Sequence, residues 1–220
     1  KKNLKKLIKD NNQILQSFRK NYKDQFKIKN LRIFKRFKNI RIIGIGGSSL
    51  GTKTIYSFLK YKIKKNVLFY DNLTTLNKKS ANKKHLNLII SKSGNTLETI
   101  VNINILIKKS DKNIFITENK KNYLNLLADK LKSDIVHHNN FIGGRYSVLS
   151  EVGMLPAELM GLNSKSFRQF NNLIKNQKYL NALISNVGST INLIKKRKFN
   201  SIIINYDEKY QNLFSWYQQL

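Results

Sequence analysis

Three short stretches hold residue types that do phosphate chemistry. Residues 42–54, "IIGIGGSSLGTKT", run from β-branched residues into glycines and serines, with a lysine and threonines behind them. Residues 91–99, "SKSGNTLET", offer the hydroxyls of Ser91, Ser93 and Thr96 around a turn glycine, Gly94. Residues 143–147, "GGRYS", place Arg145 behind two glycines. Hydroxyls and free backbone amides at a helix N-terminus hold a phosphate without a metal. A plain N-cap needs one hydroxyl, so three of them around a glycine read as a phosphate clamp. Glycines beside Arg145 let a ligand approach the backbone, and the guanidinium can neutralise charge that develops in a reaction. Taken alone, Arg145 reads as a structural ion pair with Glu98 or Glu151. Beside two phosphate-type loops it reads as a site residue.

Such loops need a scaffold that presents them together. Short apolar runs at 39–45, 66–70, 86–90, 113–117 and 134–138 read as strands. Between them the spacing predicts helices at 49–60, 74–83, 96–108 and 122–132. Strand–helix alternation at this interval implies an α/β fold with a parallel sheet covered on both faces, and the nearly continuous apolar runs "VLFY", "LNLII" and "NIFIT" suit strands buried on both sides. Both phosphate-type loops would then sit at strand carboxyl ends, where open α/β sheets bind ligands. The first 38 residues read as one or two basic amphipathic helices. Residues 147–198 read as helical, with Pro156 expected to kink or break the first segment. "FNSIIINY" at 199–206 reads as a further buried strand and "YQNLFSWYQQL" at 210–220 as a helix, the opening of a second α/β unit.

The first loop admits three readings. A Walker-A loop needs its lysine directly after the second glycine, and Thr52 intervenes between Gly51 and Lys53. A dinucleotide fingerprint is closer, with Gly44 and Gly46 after a strand and Asp71 ending the next strand, although Ser49 takes the third glycine position. The third reading, a small phosphorylated metabolite, also accounts for residues 91–99 and 143–147.

Composition narrows the classes. The chain has 220 residues and no cysteine, which removes disulfides and thiolate metal sites, and its three histidines leave little for zinc. No apolar run is long enough to span a membrane and no signal-peptide pattern opens the chain, so a soluble cytoplasmic setting is expected. The net charge of +30 comes almost wholly from lysine spread along the chain, with arginine scarce. That pattern reads as a solvated face that attracts anionic substrates, not as a specific nucleic-acid interface.

"GIGGSSLG", "SKSGNTLET" and "GGRYSVLSEVGMLPAEL", in this order, resemble the glucose-6-phosphate isomerase family, and "YQNLFSWYQQL" resembles its segment ahead of the catalytic glutamate. The resemblance implies a doubly wound, five-stranded parallel sheet of the sugar isomerase (SIS) type. It divides the chain into an N-terminal helical segment (1–38), a sugar-phosphate-binding domain (39–165), and a helical connection with the start of a second domain (166–220). It implies aldose–ketose isomerisation of a hexose phosphate in a homodimer, with neither metal nor nucleotide cofactor. Carried over by position, Ser91, Ser93 and Thr96 match hydroxyls on the sugar phosphate, Lys92 a backbone amide beside them, and Ser48 a phosphate-site serine. Gly47 and Gly144 match close-approach glycines, and Arg145 matches the arginine that stabilises the enediolate. Ser49, Thr52 and Glu151 depart from the family pattern. The glutamate base, with a further histidine and lysine, falls past Leu220, so residues 1–220 read as a substrate-binding half without its base. The alternative is a non-catalytic SIS-type sugar-phosphate-binding module.

Overall fold

A computed structural model of the chain describes residues 6, 12–73, 84–108 and 110–220. In chain order its longer elements are β1 (Asn39–Ile43), α1 (Leu50–Leu59), β2 (Asn66–Tyr70), β3 (Leu86–Ile90), α2 (Leu97–Leu106), β4 (Lys112–Glu118), α3 (Tyr123–Lys130), β5 (Asp134–His138), α4 (Glu151–Leu159), α5 (Gln177–Lys195) and α6 (Gln211–Gln219). The five strands form one all-parallel sheet in the order β2-β1-β3-β4-β5. The helix expected at 74–83 lies outside the described residues.

Alternation along the central strands sorts their side chains onto two faces. Ile40 and Ile42 of β1, Leu86, Leu88 and Ile90 of β3, and Ile114 and Ile116 of β4 pack with Ile55 of α1 and with α4. Ile43, Ile89 and Phe115 point the other way, onto Ile103 and Leu106 of α2 and Leu124 and Ala128 of α3. All five residues of β3 are buried, as a central strand roofed on both sides requires.

Two expectations change. Pro156 lies inside α4 without ending it. A proline at this position deprives the Val152 carbonyl of its intrahelical donor. The Thr52 hydroxyl on α1 supplies a substitute, donating to that carbonyl at 3.2 Å. Of the N-terminal segment, the described residues form short helices at Gln13–Gln16, Ile28–Leu31 and Arg32–Lys35, and much of the helix expected ahead of them lies outside the described residues. The described part is held by tertiary contacts: Leu31 and Phe34 dock in the core, and Arg168 donates to Asp24 and to the Ser17 carbonyl. Residues 199–206 form no strand. None of the five strands pairs with them, so their backbone stays unladdered and Ile202 and Ile204 are 87% and 68% exposed. Among the described residues no helix is long and apolar enough to cross a membrane.

Candidate active site

β1 and β3 are neighbours, yet the helices that follow them pack on opposite faces, α1 with the first core and α2 with the second. The connections therefore diverge and leave a crevice at the strands' carboxyl ends. The loops after β1, β3 and β5 meet there.

The first and third loops touch through main chain. A Cβ on Gly47 would stand 2.3 Å from the Gly144 carbonyl carbon and 2.5 Å from the Arg145 nitrogen, so only glycine fits. Ser147 Oγ donates to the Gly144 carbonyl at 2.6 Å. From α6, the Trp216 indole donates to the Arg145 carbonyl at 3.0 Å. The second loop turns through Gly94, at φ +69°, against the Asn122 side chain that caps α3. This turn gathers the hydroxyls. Ser91 Oγ lies 2.8 Å and Ser93 Oγ 3.5 Å from Thr96 Oγ1, and Thr96 is the N-cap of α2.

A cavity of about 520 Å³ lies between the loops, and Gly47, Ser48, Lys92, Ser93, Thr96, Gly144 and Arg145 line it. Ser91 does not. It is buried behind Thr96, where its oxygen also accepts from the Gly94 amide at 3.2 Å. Arg145 is exposed and forms no ion pair among the described residues, because Glu151 is engaged elsewhere.

Three wall residues were not singled out from sequence: Ile45, Glu118 and Gln219. Glu118 is the last residue of β4, and its place at a parallel strand's carboxyl end is the signal that could have found it. Lys92 and Lys120 pair with it at 3.3 and 3.1 Å. Burial works to raise its carboxyl, but the hydrogen bonds from Lys120 and Lys92 hold it below the usual range. The Lys92 ammonium also donates to the Asn140 carbonyl at 2.7 Å, joining the second loop to the third. Gln219 arrives on α6, and its Oε1 is buried with no hydrogen-bond partner among the described residues.

The Lys53 ammonium is paired with Asp71. One contact thus engages the lysine that a Walker reading needs at the phosphates and the acid that a dinucleotide reading needs at the ribose. Among the described residues no cluster of His, Cys, Asp or Glu could hold a metal ion.

Residues 5–220 match the phosphoglucose isomerase family. This chain belongs to that family. It is 33% identical over 207 residues to the glucose-6-phosphate isomerase of Methanocaldococcus jannaschii, covering 84% of this chain and 49% of the relative. It is 31% identical over 229 residues to that of Mycoplasma genitalium, covering 89% and 52%. The chain thus spans about half the length of these phosphoglucose isomerase relatives. In fold it is similar to a hypothetical protein of Thermus thermophilus, with a TM-score of 0.72 at 21% identity over 99% of this chain and 57% of the other. A putative tagatose-6-phosphate ketose/aldose isomerase from Clostridium novyi gives 0.61 at 18% identity, over 97% and 56%.

Proposed function

We propose that these residues form the sugar-phosphate-binding part of an aldose–ketose isomerase that interconverts glucose 6-phosphate and fructose 6-phosphate through an enediolate. The observation that carries this reading is the convergence of Ser93, Thr96, Ser48 and Arg145 around one cavity. The phosphate takes the α2 end, accepting from Ser93, Thr96 and the Lys92 amide, with Ser91 orienting Thr96. Ser48 adds a hydroxyl across the crevice. Gly47 and Gly144 keep the opposite wall low, so the sugar lies against main chain.

Removing the proton from C2 of the open-chain aldose puts negative charge on the C1 oxygen. A proton passing from the C2 to the C1 oxygen moves that charge to the C2 oxygen before C1 is protonated. Arg145, free of an ion pair in the described structure, faces that charge and stabilises the enediolate. Glu118 is a poor base here, because Lys92 and Lys120 favour its ionised form and lower its proton affinity. By the family resemblance, the base that carries the proton between C1 and C2 falls past Leu220. The complete enzyme is expected to act as a cytoplasmic homodimer.

Turnover of hexose 6-phosphate by the full-length protein tests the reading. Arg145→Ala should lower kcat by about 10²–10³ with KM changed only a few-fold, the mark of a group acting on the transition state. A rise in KM with kcat intact would make Arg145 a ground-state contact. Binding without turnover would point to a sugar-phosphate-binding module.

A further inference from the structure

Beneath the loop that carries Arg145 lies a polar cluster closed to solvent. His138 ends β5 with its side chain 1% exposed, and Glu151 opens α4 with its side chain 0% exposed. The Glu151 carboxylate accepts from the Tyr22 hydroxyl at 2.9 Å and the Gln25 amide at 3.1 Å, and its other oxygen lies 3.3 Å from His138 Nδ1. On the far side of the ring, His138 Nε2 lies 3.0 Å from the Ile142 carbonyl oxygen.

Acceptors therefore face both ring nitrogens. At this burial no solvent substitutes for either contact, so the ring is held between Glu151 and the Ile142 carbonyl. On the N-terminal segment Tyr22 donates to Glu151, and Arg168 donates to Asp24 at 2.9 Å. Burial works to raise the Glu151 carboxyl, but hydrogen bonds from His138, its own amide, Tyr22 and Gln25 hold it below the usual range. Burial first, and then the Glu151 charge, keep the Tyr22 phenol protonated.

The two partners bracket the catalytic loop. His138 Nε2 grips the carbonyl of Ile142, a fully buried residue from which the chain passes directly to Gly143, Gly144 and Arg145. Glu151 grips the ring from the first turn of α4, where the chain re-enters regular structure. We propose that His138, clamped between Glu151 and the Ile142 carbonyl, is a positioning residue that fixes Arg145 at the cavity. The proposal rests on the role given to Arg145 above. Without the ring or its Glu151 partner a grip is lost, and a catalytic group displaced by about 1 Å can cost roughly 100-fold in rate.

Kinetics and amide exchange decide it. In the full-length protein, Glu151→Leu should lower kcat about tenfold or more with KM within about threefold, since the Ser91–Thr96 cluster is untouched. Glu151→Gln, whose amide can donate to the ring while its oxygen accepts from Tyr22, should restore most of that loss. Added to Arg145→Ala, Glu151→Leu should cost little further, because it acts through that arginine. Unchanged kcat in folded Glu151→Leu, or full additivity with Arg145→Ala, would overturn the proposal. Should Glu151→Leu fail to fold, His138→Gln should speed hydrogen exchange at the Gly143 and Gly144 amides, and unchanged exchange would overturn it. If the unmutated protein lacks isomerase turnover, the proposed reaction falls, and the exchange measurement still tests the positioning.

Discussion

The hydroxyls of Ser91, Ser93 and Thr96 sit within reach of one another, so an anion at Thr96 replaces neutral contacts with charge-assisted ones. Replacing all three by alanine should cost about 2–4 kcal/mol of hexose-phosphate binding, at roughly 1 kcal/mol or more for each lost bond to a charged group. Calorimetry on a triple variant with unchanged melting temperature checks this, and unchanged affinity would remove the clamp. Ser93, Thr96 and Arg145 were legible in the sequence because each lies in a local run of glycine and hydroxyl residues whose chemistry shows in a few positions. Glu118 and Gln219 carry no such local mark. They line the cavity only because β4 sits beside β3 and because α6 packs on α1.

At the scale of elements, α4 survives its proline because α1 lends it a hydroxyl. Thr52→Val keeps the shape of the side chain and removes the donor to the Val152 carbonyl. A buried carbonyl left without a donor should cost about 1–3 kcal/mol, read as a lower urea midpoint. Pro156→Ala restores the helical N–H, so Thr52→Val should cost much less in that background. Equal costs in both backgrounds would show that Thr52 acts by packing alone. Sequence spacing marked the strands and helices well, since β-branched runs and 3.6-residue periodicity are local signals. The effect of Pro156 is not legible locally, because the compensating donor comes from residue 52.

At the scale of the whole molecule, several buried carboxylates hold the N-terminal segment and the loops to the sheet domain. Burial works to raise Glu151 and Glu158, yet their hydrogen bonds, from His138 and Tyr22 to Glu151 and from Ser164 and Lys35 to Glu158, hold both below the usual range. A depressed carboxyl contributes stability above its unfolded value, which is lost as pH falls through the folded one. Burial raises Asp24 and opposes this in part. Melting temperature should therefore drop once pH goes below about 4.5, and Glu158→Gln should flatten the drop; an unflattened curve would exclude Glu158 as a source. The surface makes its own prediction. Ile202 and Ile204 are exposed in a run that pairs with no strand of the sheet, and apolar faces of α5 are open around Val187 and Ile191. Ile202→Thr with Ile204→Thr should raise the solubility of residues 1–220 at constant melting temperature, since unpaired apolar β-formers seed association.

The sequence by itself determined which runs become strands, which turns carry hydroxyls and glycines, and that a parallel sheet covered on both faces would present them at its strands' carboxyl ends. Those outcomes follow from side-chain shape and backbone preference within a few residues. Tertiary structure alone decided that Lys53 answers Asp71, that Ser91 stands behind Thr96, that Gln219 closes the cavity, and that residues 199–206 remain unpaired. Each depends on groups distant in the chain meeting, or failing to meet, once the sheet has ordered its strands, and no local propensity encodes that encounter.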